Sequence, residues 1–104
     1  MRFISNLYLG ESVKDHRKRL IHKLNAGKGS LFCYILAIVE DSPAKIQLFS
    51  SELLRQPMFR PRDFLIVGLA GSKEEGIALI QEITEDTYRD TGSCDIREYL
   101  LSKE

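Results

Sequence analysis

Apolar residues fall along this chain in two kinds of pattern, unbroken runs and helical stripes. Leu31 to Val39 (LFCYILAIV) is a run of nine apolar residues, and Phe64 to Ala70 (FLIVGLA) is a second run broken only by a glycine. Short runs rich in branched and aromatic residues, without alternation, read as strands covered on both faces. Helical spacing appears elsewhere. Val13, Leu20, Ile21 and Leu24 recur at i, i+7, i+8 and i+11, with Gly27 beyond them as a stop, which predicts a helix over about 11–25.

Two more helices are expected. Ser42 and Pro43 suit the cap and first position of a helix over about 43–56, with Ile46, Phe49, Leu53 and Leu54 as its buried stripe. Pro57 ends it by forcing its predecessor out of helical geometry. Ser72 and Glu75 form a capping box for a longer helix over about 72–91. Ile77, Ile80, Ile83, Thr84, Thr87 and Tyr88 would line its inner side, and Gly92 ends it.

Two buried strands separated by a helix make a βαβ unit, in which strands 31–39 and 64–70 run parallel through a right-handed crossover. The expected fold class is therefore α/β, one small domain over residues 1–104. Two strands are few for such apolar sequences. A third is expected from residues 2–9, from the tail at 95–101, or from a second copy of the chain. The tail equally fits a short helix, with Ile96, Tyr99 and Leu100 on one side.

Composition narrows the class. With 104 residues, 43% of them hydrophobic and 29% charged, the chain suits a single globular domain. Its longest apolar run is far short of the roughly 20 residues of a membrane-spanning helix, and its first residues lack the apolar centre of a signal peptide. A cytoplasmic location without a membrane partner is expected. Cys33 and Cys94 match no metal or redox spacing, so no metal or cofactor is expected, and Cys33 reads as a small core residue.

The formal net charge is zero but the distribution is uneven. Residues 1–35 carry seven Lys and Arg against two acids, and residues 73–104 carry four against nine. The basic stretch 14–28 holds Lys14, Arg17, Lys18, Arg19 and Lys23, and the loop 55–62 adds Arg60 and Arg62 around Met58 and Phe59. Clustered cations beside an aromatic ring are what a single-stranded nucleic acid needs, charge for phosphates and a ring for stacking. The neutral total and the acidic last third weigh against that reading.

A second group of residues lies at the expected carboxyl ends of the strands, where open parallel sheets collect ligands. These are Glu40 and Asp41 after the first strand and Gly71 and Ser72 after the second. The spacing GLAGSKEEG is neither a P-loop nor a dinucleotide fingerprint, and Glu74 and Glu75 in the first turn would repel a phosphate. His16 falls beside the apolar stripe of its helix, whereas His22 falls among charged positions. No residue is assigned a catalytic role.

Three functions fit these residues. The first is a non-catalytic interaction or accessory domain, a homodimer with an unidentified protein partner, favoured by small size, apolar strands and complementary charge. The second is nucleic-acid binding through 14–28 and 55–62. The third is a small-ligand or enzyme site at the strand ends.

Overall fold

A computed structural model describes residues 2–25, 33–39, 46–55 and 64–104. Four strands, β1 (Arg2–Leu9), β2 (Tyr34–Val39), β3 (Gln47–Ser50) and β4 (Phe64–Ala70), form one mixed sheet in the order β1-β4-β2-β3. Helix α1 (Arg17–Asn25) follows β1, and α2 (Lys73–Thr91) and α3 (Ile96–Leu101) follow β4. The α/β class read from the sequence holds, and residues 2–9 supply the third strand.

The βαβ arrangement does not hold. β4 runs parallel to β1, from Arg2↔Leu65 to Leu9↔Leu69, but antiparallel to β2, from Tyr34↔Ala70 to Val39↔Phe64. The cause lies in 43–56, where a helix was expected. Gln47–Ser50 instead pairs antiparallel with β2, and Ser51–Arg55 is a 3₁₀ turn. With a strand in place of the helix, the chain reverses direction once more before β4. The parallel crossover then joins β3 to β4, with β2 lying between them.

Both faces of the sheet are covered. On one face Ile4, Leu36, Ile38, Leu65 and Val67 pack with Leu79 and Ile83 of α2 and Leu100 of α3. On the other, Ile35, Ala37, Ile66 and Leu69 pack with Leu20 and Leu24 of α1 and with Phe49 and Phe64. β4 is buried along its whole length, which accounts for its unbroken apolar sequence: a strand flanked by strands and covered above and below offers no position to a polar side chain.

A bulge resets β4 partway along. Leu36 pairs with Gly68 and Ala37 with Ile66, so Val67 has no partner in the ladder to β2. Leu65 and Val67 face α2, and so does Ala70, whereas Ile66 and Leu69 face α1. Simple alternation would have put Leu69 on the α2 side. Gly68 allows the shift, because a Cβ there would lie 2.9 Å from the Tyr8 carbonyl oxygen of β1.

The ends of α2 follow the sequence. Ser72 accepts from the Glu75 amide at 3.2 Å, and Gly92 closes the helix in the left-handed region at φ 70°. Its rotation does not follow the sequence. Gly76, Leu79, Ile83 and Thr87 face the sheet, whereas Ile77 and Tyr88, expected inside, are 53% and 64% exposed. The tail is helical, capped by Asp95, with Ile96, Tyr99 and Leu100 buried.

Gly68→Ala is expected to lower stability by about 1–3 kcal/mol, since the obstructing atom belongs to the backbone of β1 and cannot rotate away. Urea denaturation of the two proteins measures the difference.

Candidate functional site

The parallel pair β1 and β4 marks the one place where this topology favours a site among the described strands. β1 leads to α1 on one face of the sheet and β4 leads to α2 on the other, so their connections diverge at adjacent carboxyl ends. Open α/β sheets bind ligands in crevices of this kind. Gly10 follows β1 here and donates to the Leu69 carbonyl at 3.0 Å, and Gly71 and Ser72 follow β4.

The chain fills this crevice with its own carboxylate. Glu75 accepts from the Gly71 amide at 2.9 Å and from the Ser12 hydroxyl at 2.9 Å. Gly10 leaves the room for it, since a Cβ there would lie 1.7 Å from the nearer Glu75 oxygen. The Gly71 amide holds the Glu75 carboxyl below its ordinary pKa, with Ser12 adding to the effect and partial burial opposing it. A negative charge therefore already occupies the N-terminus of α2 and answers its dipole. Of the expected ligand residues, Gly71 and Ser72 both hydrogen-bond to Glu75. Glu40 and Asp41 lie outside the described residues. The expectation that they adjoin Gly71 rested on parallel β2 and β4, but Val39 at the end of β2 pairs with Phe64 at the start of β4.

An open cleft of about 620 Å³ lies beside this clamp, between the end of β1 and α2. Leu7, Ala78 and Leu79 contribute apolar wall, and Glu11, Glu82 and Lys14 contribute charge. Lys14 and Glu11 form an ion pair at 2.9 Å. Further along α2, Tyr8 donates to Asp86 at 2.6 Å, and Arg89 bridges Asp86 at 3.1 Å and Asp90 at 3.2 Å. Tyr99 of α3 donates to Asp90, and the Lys103 ammonium lies 4.7 Å from the Tyr99 ring. Burial, reinforced by Asp86, pushes the Tyr8 phenol far above its usual range, which keeps it neutral. Donation from Tyr99 and Arg89 holds Asp90 below the usual carboxylate range. The network ties β1, α2 and α3 together, and in its present protonation Tyr8 is neither a base nor a nucleophile.

The basic residues of α1 lie on the opposite side of the sheet from the acidic α2, whereas Lys14 before them lines the cleft beside Glu82 of α2. Lys18 and Arg19 are exposed, while Arg17 is half-buried and donates to the Ser5 carbonyl at 3.3 Å. Lys14 is paired with Glu11, and Lys23 is half-buried with an interaction of its own. The first turn of α1 contains no acid, and the 3₁₀ turn Lys14–His16 that runs directly into it carries Asp15. Arg17, Lys18 and Arg19 stand there against the helix dipole, which disfavours cations at that end. His16, expected beside the apolar stripe, is exposed, as is His22. Arg60 and Arg62, with Met58 and Phe59, lie outside the described residues.

Comparison with protein-family models, with curated proteins and with solved structures gave no match.

Among the described residues no group of His, Cys, Asp and Glu could hold a metal ion, and no helix is long and apolar enough to cross a membrane. Cys33 is buried and its thiol is pushed up by desolvation, which makes it unreactive. Cys94 is exposed.

Two exposed apolar residues depart from the inner side expected of them. Ile77 and Tyr88 stand on one line of α2 with half-buried Ile80 and Thr84 beside them. Their spacing at i and i+11 is legible in the sequence, but it fits a core-facing stripe equally well.

The Glu75 clamp makes stability depend on pH. Its carboxyl pKa is lowered by folding, so its contribution is complete above the ordinary glutamate range and is lost as pH falls through the folded value. Glu75→Gln should therefore be less stable than the native protein at neutral pH, with the gap closing as the solution is acidified. Thermal unfolding at a series of pH values reads that convergence.

Proposed function

We propose that this chain is a non-catalytic interaction domain that associates with itself in the cytoplasm. The observation that carries this reading is the exposed apolar line on α2. A helix packed on a sheet needs one apolar arc of about 100°. The arc of α2 is wider: Gly76, Leu79, Ile83 and Thr87 face the sheet, and Ile77, Ile80 and Tyr88 extend it toward solvent. Contiguous exposed apolar surface, more than single exposed residues, marks a face covered by a partner, and half-buried Ile80 and Thr84 join Ile77 and Tyr88 into such a stretch. A chain of 104 residues gains from such cover, because a domain this small buries only about 60–70% of the surface its unfolded chain exposes.

Two further features support a binding module over an enzyme. The crevice at the end of the parallel strands holds Glu75. The best-connected ionisable cluster, Tyr8 to Tyr99, is built of pairs that satisfy one another. The light-scattering mass of the native chain is expected to be that of a dimer. Ile77→Lys should give a monomer with unchanged far-ultraviolet circular dichroism. A native chain that remains monomeric at high concentration would remove the proposal.

A second reading, nucleic-acid binding, is favoured by one observation, the exposed cations Lys18 and Arg19 at the start of α1, beside half-buried Arg17 and with Asp15 in the turn before them. A phosphate backbone lying across Lys18 and Arg19 would relieve their conflict with the helix dipole. On this reading a fluorescent single-stranded oligonucleotide binds at low salt and is released as salt rises. Lys18→Glu with Arg19→Glu would abolish that binding and leave the mass of the protein unchanged. Equal binding by the native and doubly substituted proteins would eliminate this surface.

A further inference from the structure

We infer that the open edge of β1 at Leu7 and Leu9 takes up an extended peptide of another protein as an added strand, with a Lys or Arg of that peptide set against Glu82 of α2. The site uses neither Ile77 nor Tyr88 and does not rest on self-association.

β1 stands first in the sheet order, so only one of its edges is paired. Its register decides which groups face outward. Tyr8 pairs with Gly68, and the Gly10 amide donates to the Leu69 carbonyl. Backbone groups of successive strand residues point to opposite edges, so the N–H and C=O of Leu7 and Leu9 point away from β4. Ser5 shares their orientation and is already satisfied. Its amide donates to the Lys103 carbonyl at 3.4 Å, and its carbonyl accepts from Arg17 at 3.3 Å. Among the described residues no hydrogen bond reaches the outward groups of Leu7 or Leu9. The chain thus covers this edge at Ser5 and leaves the next two outward residues open. Residues 5–9 (SNLYL) also lack the charge or proline that usually guards a free edge.

The open stretch borders the cleft of about 620 Å³, whose other wall includes Ala78 and Glu82, both exposed, on α2. A strand added about 4.8 Å beyond β1 would enter this space. The backbone of an extended peptide repeats every two residues, about 6.8 Å, which is the spacing from Leu7 to Leu9. It can therefore meet the outward groups of both residues, the pairing by which peptides add to sheet edges. Charge sets the kind of peptide. Glu11 and Lys14 hold each other, and Glu75 is engaged by Gly71 and Ser12. Glu82 is left, with no cation within ion-pair distance among the described residues. A cationic side chain answers it, whereas an acidic peptide would be repelled. A small amine could answer Glu82 but would leave the backbone groups of Leu7 and Leu9 unmet.

The probe is a short fluorescein-labelled peptide of alternating valine and lysine, added to the full chain at low salt. Fluorescence anisotropy reads binding, and amide hydrogen exchange by NMR reads its place. The Leu7 and Leu9 amides are expected to exchange fast in the free protein and to become protected with peptide. Those of Tyr8 and Gly10, which face β4, should be slow throughout. Glu82→Lys should weaken binding about fivefold. The same peptide methylated on every backbone nitrogen keeps its charge, cannot donate to the edge and should not bind. Equal binding by the methylated peptide would reduce the site to charge attraction and overturn the inference. Absence of binding by the unmethylated peptide would overturn it too. So would protection of Leu7 and Leu9 that rises with protein concentration without peptide, which would assign the edge to a second copy. Association through α2 leaves those two amides unprotected, so this site and the proposed self-association can fail separately.

Discussion

The rest of this structure depends on the complete enclosure of β4. Its backbone is paired on one side with β1 and on the other with β2, and its side chains are covered above and below. A strand in that position has no route to water for any polar group, so each must be satisfied within the fold. Two consequences follow. The sheet needs cover on both faces, which α1 gives on one and α2 with α3 on the other. The ladder must also absorb any irregularity, which it does at Val67 and Gly68, where the close approach of the Tyr8 carbonyl excludes a side chain.

Much of this was legible in the residues. The unbroken runs at 34–39 and 64–70 announced strands covered on two faces, and Ser72, Glu75 and Gly92 bounded the long helix. What failed was segment 43–56. Ile46, Phe49 and Leu53 lie at helical spacing, yet Leu48 and Phe49 turn to opposite faces of a short strand. Four residues are too few for a period of two to be told from 3.6, and pairing with β2 decided the outcome. The direction of β2 followed from that error, and so did the expected union of Glu40 and Asp41 with Gly71 and Ser72. The pairing of β1 with β4 could not be read, because nothing in residues 2–9 specifies a neighbour 60 positions away.

The site shows the same division. Glu75 was legible as a capping residue, but its bonds to Gly71 and Ser12 depend on Gly10 bringing the end of β1 against the start of α2. The rotation of α2 was missed for a related reason. The apolar residues of 73–91 span more of the helix than one face of the sheet can cover, and sequence shows the width of the arc without showing which part is left over. The part left over, Ile77 and Tyr88, is where the functional proposal starts. The charge asymmetry also takes on a definite form, since the basic residues of α1 and the acids of α2 lie on opposite sides of the sheet instead of pairing directly. Electrostatics of that kind orients an encounter more than it holds a complex, whereas an apolar line that excludes water supplies affinity.

On the proposed function, α2 is the surface this chain presents to another copy of itself. A dilution series followed by NMR of the methyl and aromatic side chains tests it at individual residues. The Ile77 and Tyr88 signals are expected to move together as concentration falls, while the core methyl groups of Ile35 and Ile66 and the residues of α1 stay fixed. Signals of Ile77 and Tyr88 that do not change with concentration, or changes confined to α1, would contradict it.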